Sequence, residues 1–167
     1  DLYRWVFGDR PEPLLEAIKT WPGSCGLAAW QAIPPIQTLL NAVRDTAIPV
    51  VHMTGLDHHG MKGWTAWREP PQPAELSPAA RDRRQRRWDI IDEVAPLPGE
   101  VVLRKSSPSA FWGTPLVGHL NYLGIDTIIT CGSNTFAHFI LVLQFYLSTC
   151  FCFLFVKLTL LLLGKPL

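Results

Sequence analysis

Three short runs rich in β-branched residues constrain this chain more than any other feature. They are 48–53 (IPVVHM), 99–105 (GEVVLRK) and 126–132 (DTIITCG), each separated from the next by sequence of helical character. Residues 12–21 carry Leu14, Leu15 and Ile18 at helical spacing, with Pro22 behind them. Residues 29–47 place Ile33, Ile36, Leu39, Leu40 and Val43 on one stripe, with Pro34 or Pro35 in the first turn, which predicts an amphipathic helix. A helix with a basic end is expected over 81–94, and another over 113–125, stopped by Gly124. Strands alternating with helices predict an α/β fold with a mostly parallel sheet. In such sheets the reactive groups gather at the carboxyl ends of the strands. Candidate positions therefore follow Met53, surround Lys105 and follow Cys131. Residues 54–80, rich in Gly, Pro, Trp and His, read as a long loop, and a loop of that length in a compact domain tends to be functional.

Charge divides the chain in two. Its 167 residues suffice for one domain with a core. Residues 1–135 hold all 14 acidic side chains and 13 of the 15 basic ones, a net charge of −1, so nothing global points to nucleic acid. Residues 136–167 hold only Lys157 and Lys165. The run RDRRQRR (81–87) reads as a solvated helix face, because no aromatic interleaving or second basic patch accompanies it. Cys25, Cys131, Cys150 and Cys152 show no CxxC spacing, so neither a disulfide framework nor a zinc site is expected. The opening Asp-Leu-Tyr-Arg reads as the start of a fragment without a signal peptide. The expected location is the cytoplasm.

Few residues carry chemistry on spacing alone. Lys105 ends a strand beside Arg104, Ser106 and Ser107; aimed into a cleft it can hold a thiolate or carboxylate, and the alternative is a surface lysine. Asp57 and His59, with His58 and His52 near, offer a weak metal-ligand spacing without a third ligand at a fixed interval, so no metal and no cofactor is expected. Cys25, between turn residues, has no histidine placed to serve it and reads as structural.

Taken in order, the stretches DLYRWVFGDRPEPLLEAI, WPGSCGLAAWQAIPPIQTLLNAVRDTAIPVVH and PGEVVLRKSSPSAFWGTPLVGHLNYLGIDTIITCGSNT resemble the isochorismatase-like cysteine hydrolases, and within them the N-carbamoylsarcosine amidohydrolase branch. The pairing of RKSSPSAFWGTPL with LGIDTIITCGSNT carries most of the specificity. The resemblance spans residues 1–135 and is weakest over 54–94. It implies a three-layer, Rossmann-type α/β fold, a parallel sheet flanked by helices and incomplete at both ends. It implies hydrolysis of a C–N bond in a small amide or carbamoyl substrate, and homo-oligomers among intact relatives. The family's aspartate falls on Asp1 and its lysine on Lys105. The turn before the nucleophile, which in the family contains a cis peptide, falls on Gly132, Ser133, Asn134 and Thr135. The nucleophilic cysteine is expected at the position that holds His138. Trp64, Trp67, Phe111 and Trp112 are candidate pocket walls, with core or loop packing as the alternative.

Residues 136–156 (FAHFILVLQFYLSTCFCFLFV) contain no Asp, Glu, Lys or Arg and are long enough for a membrane-spanning helix. The favoured reading is a hydrolase domain over 1–135 followed by a non-homologous apolar tail, 136–167, of mistranslated or read-through sequence. The alternative is a non-catalytic family member anchored to a membrane by 136–156.

Overall fold

The computed structural model describes residues 1–56, 76–107 and 109–132. The elements run α1 (Arg4–Phe7), α2 (Leu14–Thr20), α3 (Leu27–Gln31), α4 (Ile33–Arg44), β1 (Val51–Gly55), α5 (Pro78–Arg86), a single 3₁₀ turn (Asp92–Val94), β2 (Val101–Lys105) and α6 (Leu116–Tyr122). β1 and β2 pair in parallel, from Val51 opposite Val101 to Gly55 opposite Lys105. Parallel neighbours need a crossover rather than a hairpin, and α5 lies within it. Both strands thus end on the same edge, at Gly55 and Lys105.

Two apolar clusters flank this pair. The first joins Leu2, Tyr3, Val6 and Phe7 to Ile33, Ile36 and Leu40 of α4 and to Trp88, Ile91 and Val94. α4 is therefore the amphipathic helix that its stripe predicts, with Leu39 and Val43 half-buried at the margin. The expected single helix over 29–47 is two, because α3 ends at Gln31 and α4 starts at Ile33 with a proline in its first turn. Pro34 lacks the N–H that would continue α3's ladder. The second cluster sets Phe111, Leu116 and Leu120 against Val51 and Leu103 on the strands, with Ile125 and Ile128.

Four expectations shift. The first strand occupies Val51–Gly55 rather than 48–53, since its ladder begins where β2 offers partners. The helix expected over 81–94 is α5, Pro78–Arg86, capped by the Ser77 hydroxyl, which accepts the Ala80 N–H at 3.2 Å. It ends there because Trp88 and Ile91 turn into the first cluster, and Ile90 instead makes an antiparallel bridge with Tyr3. α6 spans Leu116–Tyr122, shorter than 113–125, and Gly124 stops it at φ +65°. The third run, 126–132, forms no strand. Its Ile128 packs on the second cluster and its Cys131 on the first, so the segment crosses between the two cores. A strand exists only where a neighbouring ladder takes up its backbone groups, and β1 pairs with β2 alone among the described residues.

α2 turns the face that carries its larger apolar side chains outward. Only Ala17 is buried; Leu14, Leu15 and Ile18 are exposed, Leu15 at 72%. Helical spacing says which residues share a face, not which way that face points. Trp21, at the end of α2, sets the orientation by tucking inward and donating its indole N–H to Asp9 at 3.0 Å.

Candidate active site

Asp1 is positioned from across the fold. The Leu2 carbonyl accepts the Ile91 N–H at 3.0 Å, the Arg4 N–H donates to the Asp89 carbonyl at 3.0 Å, and the Trp5 N–H donates to the Arg87 carbonyl at 2.8 Å. These bonds, with the Tyr3–Ile90 bridge, tie the residues after Asp1 to 87–91. The aromatic rings lock the same corner: Tyr3 meets Trp88 edge-on with centroids 5.1 Å apart, and Trp5 lies 6.4 Å from Trp88. The Arg87 guanidinium sits 5.0 Å over the Trp88 ring.

Lys105 arrives from the last residue of β2, where its carbonyl also accepts the Leu56 N–H at 3.1 Å. Its Nζ lies 2.8 Å from Asp1 Oδ1 and donates to Asp1 Oδ2 at 3.1 Å. The two side chains are 2% and 5% exposed. Burial pulls the Lys105 ammonium down to about 7 from an ordinary 10.5, because a charge away from water loses its hydration. The adjacent Asp1 carboxylate works the other way and holds the pair together.

The third segment meets the same spot. A Cβ added at Gly132 would come within 3.5 Å of the Asp1 backbone nitrogen. Cys131, beside it, packs on the first cluster, and burial pushes its thiol upward. Residues 1, 105 and 131–132 therefore converge, though only Lys105 among them stands at the carboxyl end of a strand.

The neighbouring structure is built from hydroxyls and one close approach. Thr54 on β1 is buried and donates its hydroxyl to the Trp88 carbonyl. Gly55 next to it lies so close to the Trp88 ring that a Cβ there would overlap the ring carbons. Beyond Lys105, Ser107 donates to the Ser109 carbonyl at 3.2 Å, Ser109 Oγ accepts the Phe111 N–H at 3.3 Å, and Thr114 Oγ1 donates to the Ala110 carbonyl. The chain thus turns directly from Lys105 into α6. Sequence reasoning missed Thr54, Trp88 and Ser109 as parts of this corner, and named Ser107 only as a neighbour of Lys105. The SSPSA run just behind Lys105 is the signal that points to the serines.

Among the other candidate residues, Phe111 lies buried in the second cluster and Trp112 is 51% exposed. Asp57, His58, His59, Trp64, Trp67, Ser133, Asn134, Thr135 and His138 lie outside the described residues. His52 is buried and faces Glu100, its Nε2 2.8 Å from Oε2. Cys25 is a free thiol pushed upward by burial; it packs on the first cluster, and its N–H donates to the Val6 carbonyl at 2.9 Å. Among the described residues no group of three or more His, Cys, Asp or Glu could hold a metal ion. α5 buries none of its residues, and Arg86 pairs with Asp82 at 2.7 Å and Asp9 at 3.1 Å, as suits a solvated face, but Arg87, the last residue of the run expected to be solvated, is buried over the Trp88 ring.

The isochorismatase domain family model matches residues 26–137. The N-carbamoylsarcosine amidase of Arthrobacter sp. is 31% identical over 140 residues, covering 77% of this chain and 50% of that protein, so the chain spans half the length of this curated relative. An isochorismatase-like hydrolase from Alkaliphilus metalliredigens superposes with a TM-score of 0.66 at 19% identity, over 93% of this chain and 75% of that one. A cysteine hydrolase from Pseudomonas syringae pv. phaseolicola superposes with a TM-score of 0.58 at 21% identity, over 81% and 57%. These likenesses show a parallel sheet flanked by helices, and with the family match they establish that the chain belongs to the isochorismatase family.

Proposed function

We propose that this fold serves hydrolysis of a C–N bond in a small amide or carbamoyl compound, and that this chain, with His138 where a nucleophilic cysteine is expected, has negligible activity of that kind. The observation that carries the reading is the buried Lys105–Asp1 pair at the carboxyl edge of the strands. In such a reaction the Asp1 carboxylate would take the proton from the attacking group and return it to the leaving amine, while Lys105 holds the carboxylate in place and balances its charge. A histidine cannot stand in for a thiolate, and losing a covalent nucleophile costs several orders of magnitude in rate. The hydrolase domain comprises residues 1–135 and the tail 136–167, a division supported by the loss of charged residues after Thr135. The substrate is a small molecule, and the location is cytoplasmic.

The test compares two proteins in an assay for ammonia release from N-carbamoyl amino acids and simple amides. One is this chain. The other is a chimera that carries, from position 136 on, the matching segment of the Arthrobacter relative. The chain should be silent and the chimera active.

The apolar composition of 136–156 favours a second reading, a non-catalytic protein tethered to a membrane. Among the described residues no helix is long and apolar enough to cross one. Recovery of the full chain in the supernatant without detergent would remove this reading.

A further inference from the structure

We infer that the Asp1–Lys105 pair captures carbonyl compounds: Lys105 condenses through Nζ with a small aldehyde or α-keto acid to give an imine, and Asp1 carries the protons. This activity needs no cysteine and stands apart from amide hydrolysis.

Three features carry it. First, the amine and its proton acceptor are already in contact, with Nζ 2.8 and 3.1 Å from the two Asp1 oxygens. Imine formation needs a neutral amine and an acid beside it, and moving one proton along the 3.1 Å hydrogen bond to Oδ2 supplies both. Second, burial favours that neutral form, since the ammonium falls to about 7. Such a shift raises the neutral share at pH 7 far above the less than roughly one in a thousand of an ordinary lysine. Third, the product suits the site. A buried carboxylate deprived of its cation is costly, but a protonated imine is again a cation on the same atom.

The steps balance. Lys105 Nζ gives a proton to Asp1, and its lone pair forms a bond to the carbonyl carbon. The C=O π pair moves to oxygen, which takes the proton from Asp1. Asp1 then accepts a second proton from nitrogen and passes it to the hydroxyl, which leaves as water while the nitrogen lone pair forms the C=N bond. Ammonium, carboxylate and carbonyl become iminium, carboxylate and water, with no oxidant or co-reactant.

The experiment incubates the full chain with glyoxylate and cyanoborohydride at neutral pH, then maps the reduced adduct by peptide mass spectrometry. Lys19 is the internal reference; its side chain is 67% exposed and it pairs only with Glu16 on its own helix among the described contacts. Lys105 should be labelled about tenfold faster than Lys19, and the preference should vanish in denaturant. Asp1→Asn should slow Lys105 about tenfold and leave Lys19 unchanged. Labelling of Lys105 no faster than Lys19, or indifference of Lys105 to Asp1→Asn, would each overturn the assignment. Should Asp1→Asn fail to fold, the ratio of native to denatured labelling decides. Absence of ammonia release does not bear on any of these outcomes.

Discussion

Lys105 and Asp1 lie 104 positions apart in the sequence and bring Nζ and Oδ1 to 2.8 Å, with both side chains largely buried. Such a pair is held by the fold rather than holding it. The Lys105 backbone is fixed by β1 and the residues just after Asp1 by 87–91, and the two side chains meet between these anchors.

Removing one partner should therefore cost more than removing both. Lys105→Met or Asp1→Asn leaves an uncompensated buried group and should destabilise the fold by about 3–5 kcal/mol each. The double variant should lose clearly less than the sum. Denaturant unfolding of the four proteins checks this, and additive losses would mean that the two groups are not coupled.

The pH dependence of stability follows from the same pair. Folding depresses Lys105 from 10.5 to about 7. Between those values the unfolded chain holds the proton and the folded chain releases it, so stability from this group rises with pH across that window. Lys105→Met should flatten the rise. A midpoint that falls between pH 7 and 10, and falls less in Lys105→Met, would reverse the sign.

Glu100 supplies a second, acid-side dependence at the other end of the strands. Arg44 grips it with Nε at 2.7 Å and a second nitrogen at 2.8 Å, the Leu97 N–H donates to it at 2.8 Å, and its side chain is 11% exposed. Hydrogen bonds from Arg44, more than those from Leu97 and His52, hold its carboxyl down at about 2, against an ordinary 4.5. This contribution is whole above pH 4.5 and is lost as pH falls towards 2. Glu100→Gln should cost about 1–3 kcal/mol at pH 7 and remove that acid limb from a plot of unfolding midpoint against pH.

Gly55→Ala puts a methyl into the Trp88 ring and should destabilise by about 1–3 kcal/mol. Gly118→Ala, in α6 with nothing within 4 Å of the new Cβ, should instead stabilise by up to about 1 kcal/mol. Thermal melts of the two variants check the contrast, and equal shifts would contradict the packing described at Gly55.

The pattern of periodicities was legible wherever a face is defined by its own residues. Ile33, Ile36 and Leu40 announce α4, and the β-branched runs announce β1 and β2 to within about three residues. Direction was not legible. Leu14, Leu15 and Ile18 share a face as expected but point outward, because Trp21 and Ala17 occupy the inward side. Pairing was not legible either: 126–132 has a strand's composition, yet Ile128 and Cys131 are drawn to different cores. At the site, Lys105 stood out by its place at a strand end. Asp1 had no local signal at all, since its meaning lies in a contact across 104 positions, and it came only from resemblance to the family. Trp88 and Thr54 escaped notice because their role is a single backbone carbonyl and a ring face, which leave no spacing in the sequence.

The central claim is that Asp1 and Lys105 form the acid–base half of an amide-hydrolysing site that lacks its nucleophile in this chain. It is tested most directly by ammonia release from an N-carbamoyl amino acid in the chimera that supplies a cysteine-bearing helix, with and without Asp1→Asn. The predicted result is silence from the chain as it stands, turnover by the chimera, and a loss of about 10²–10⁴-fold on Asp1→Asn. Thiol-dependent turnover by the chain itself, or a chimera indifferent to Asp1→Asn, would contradict it.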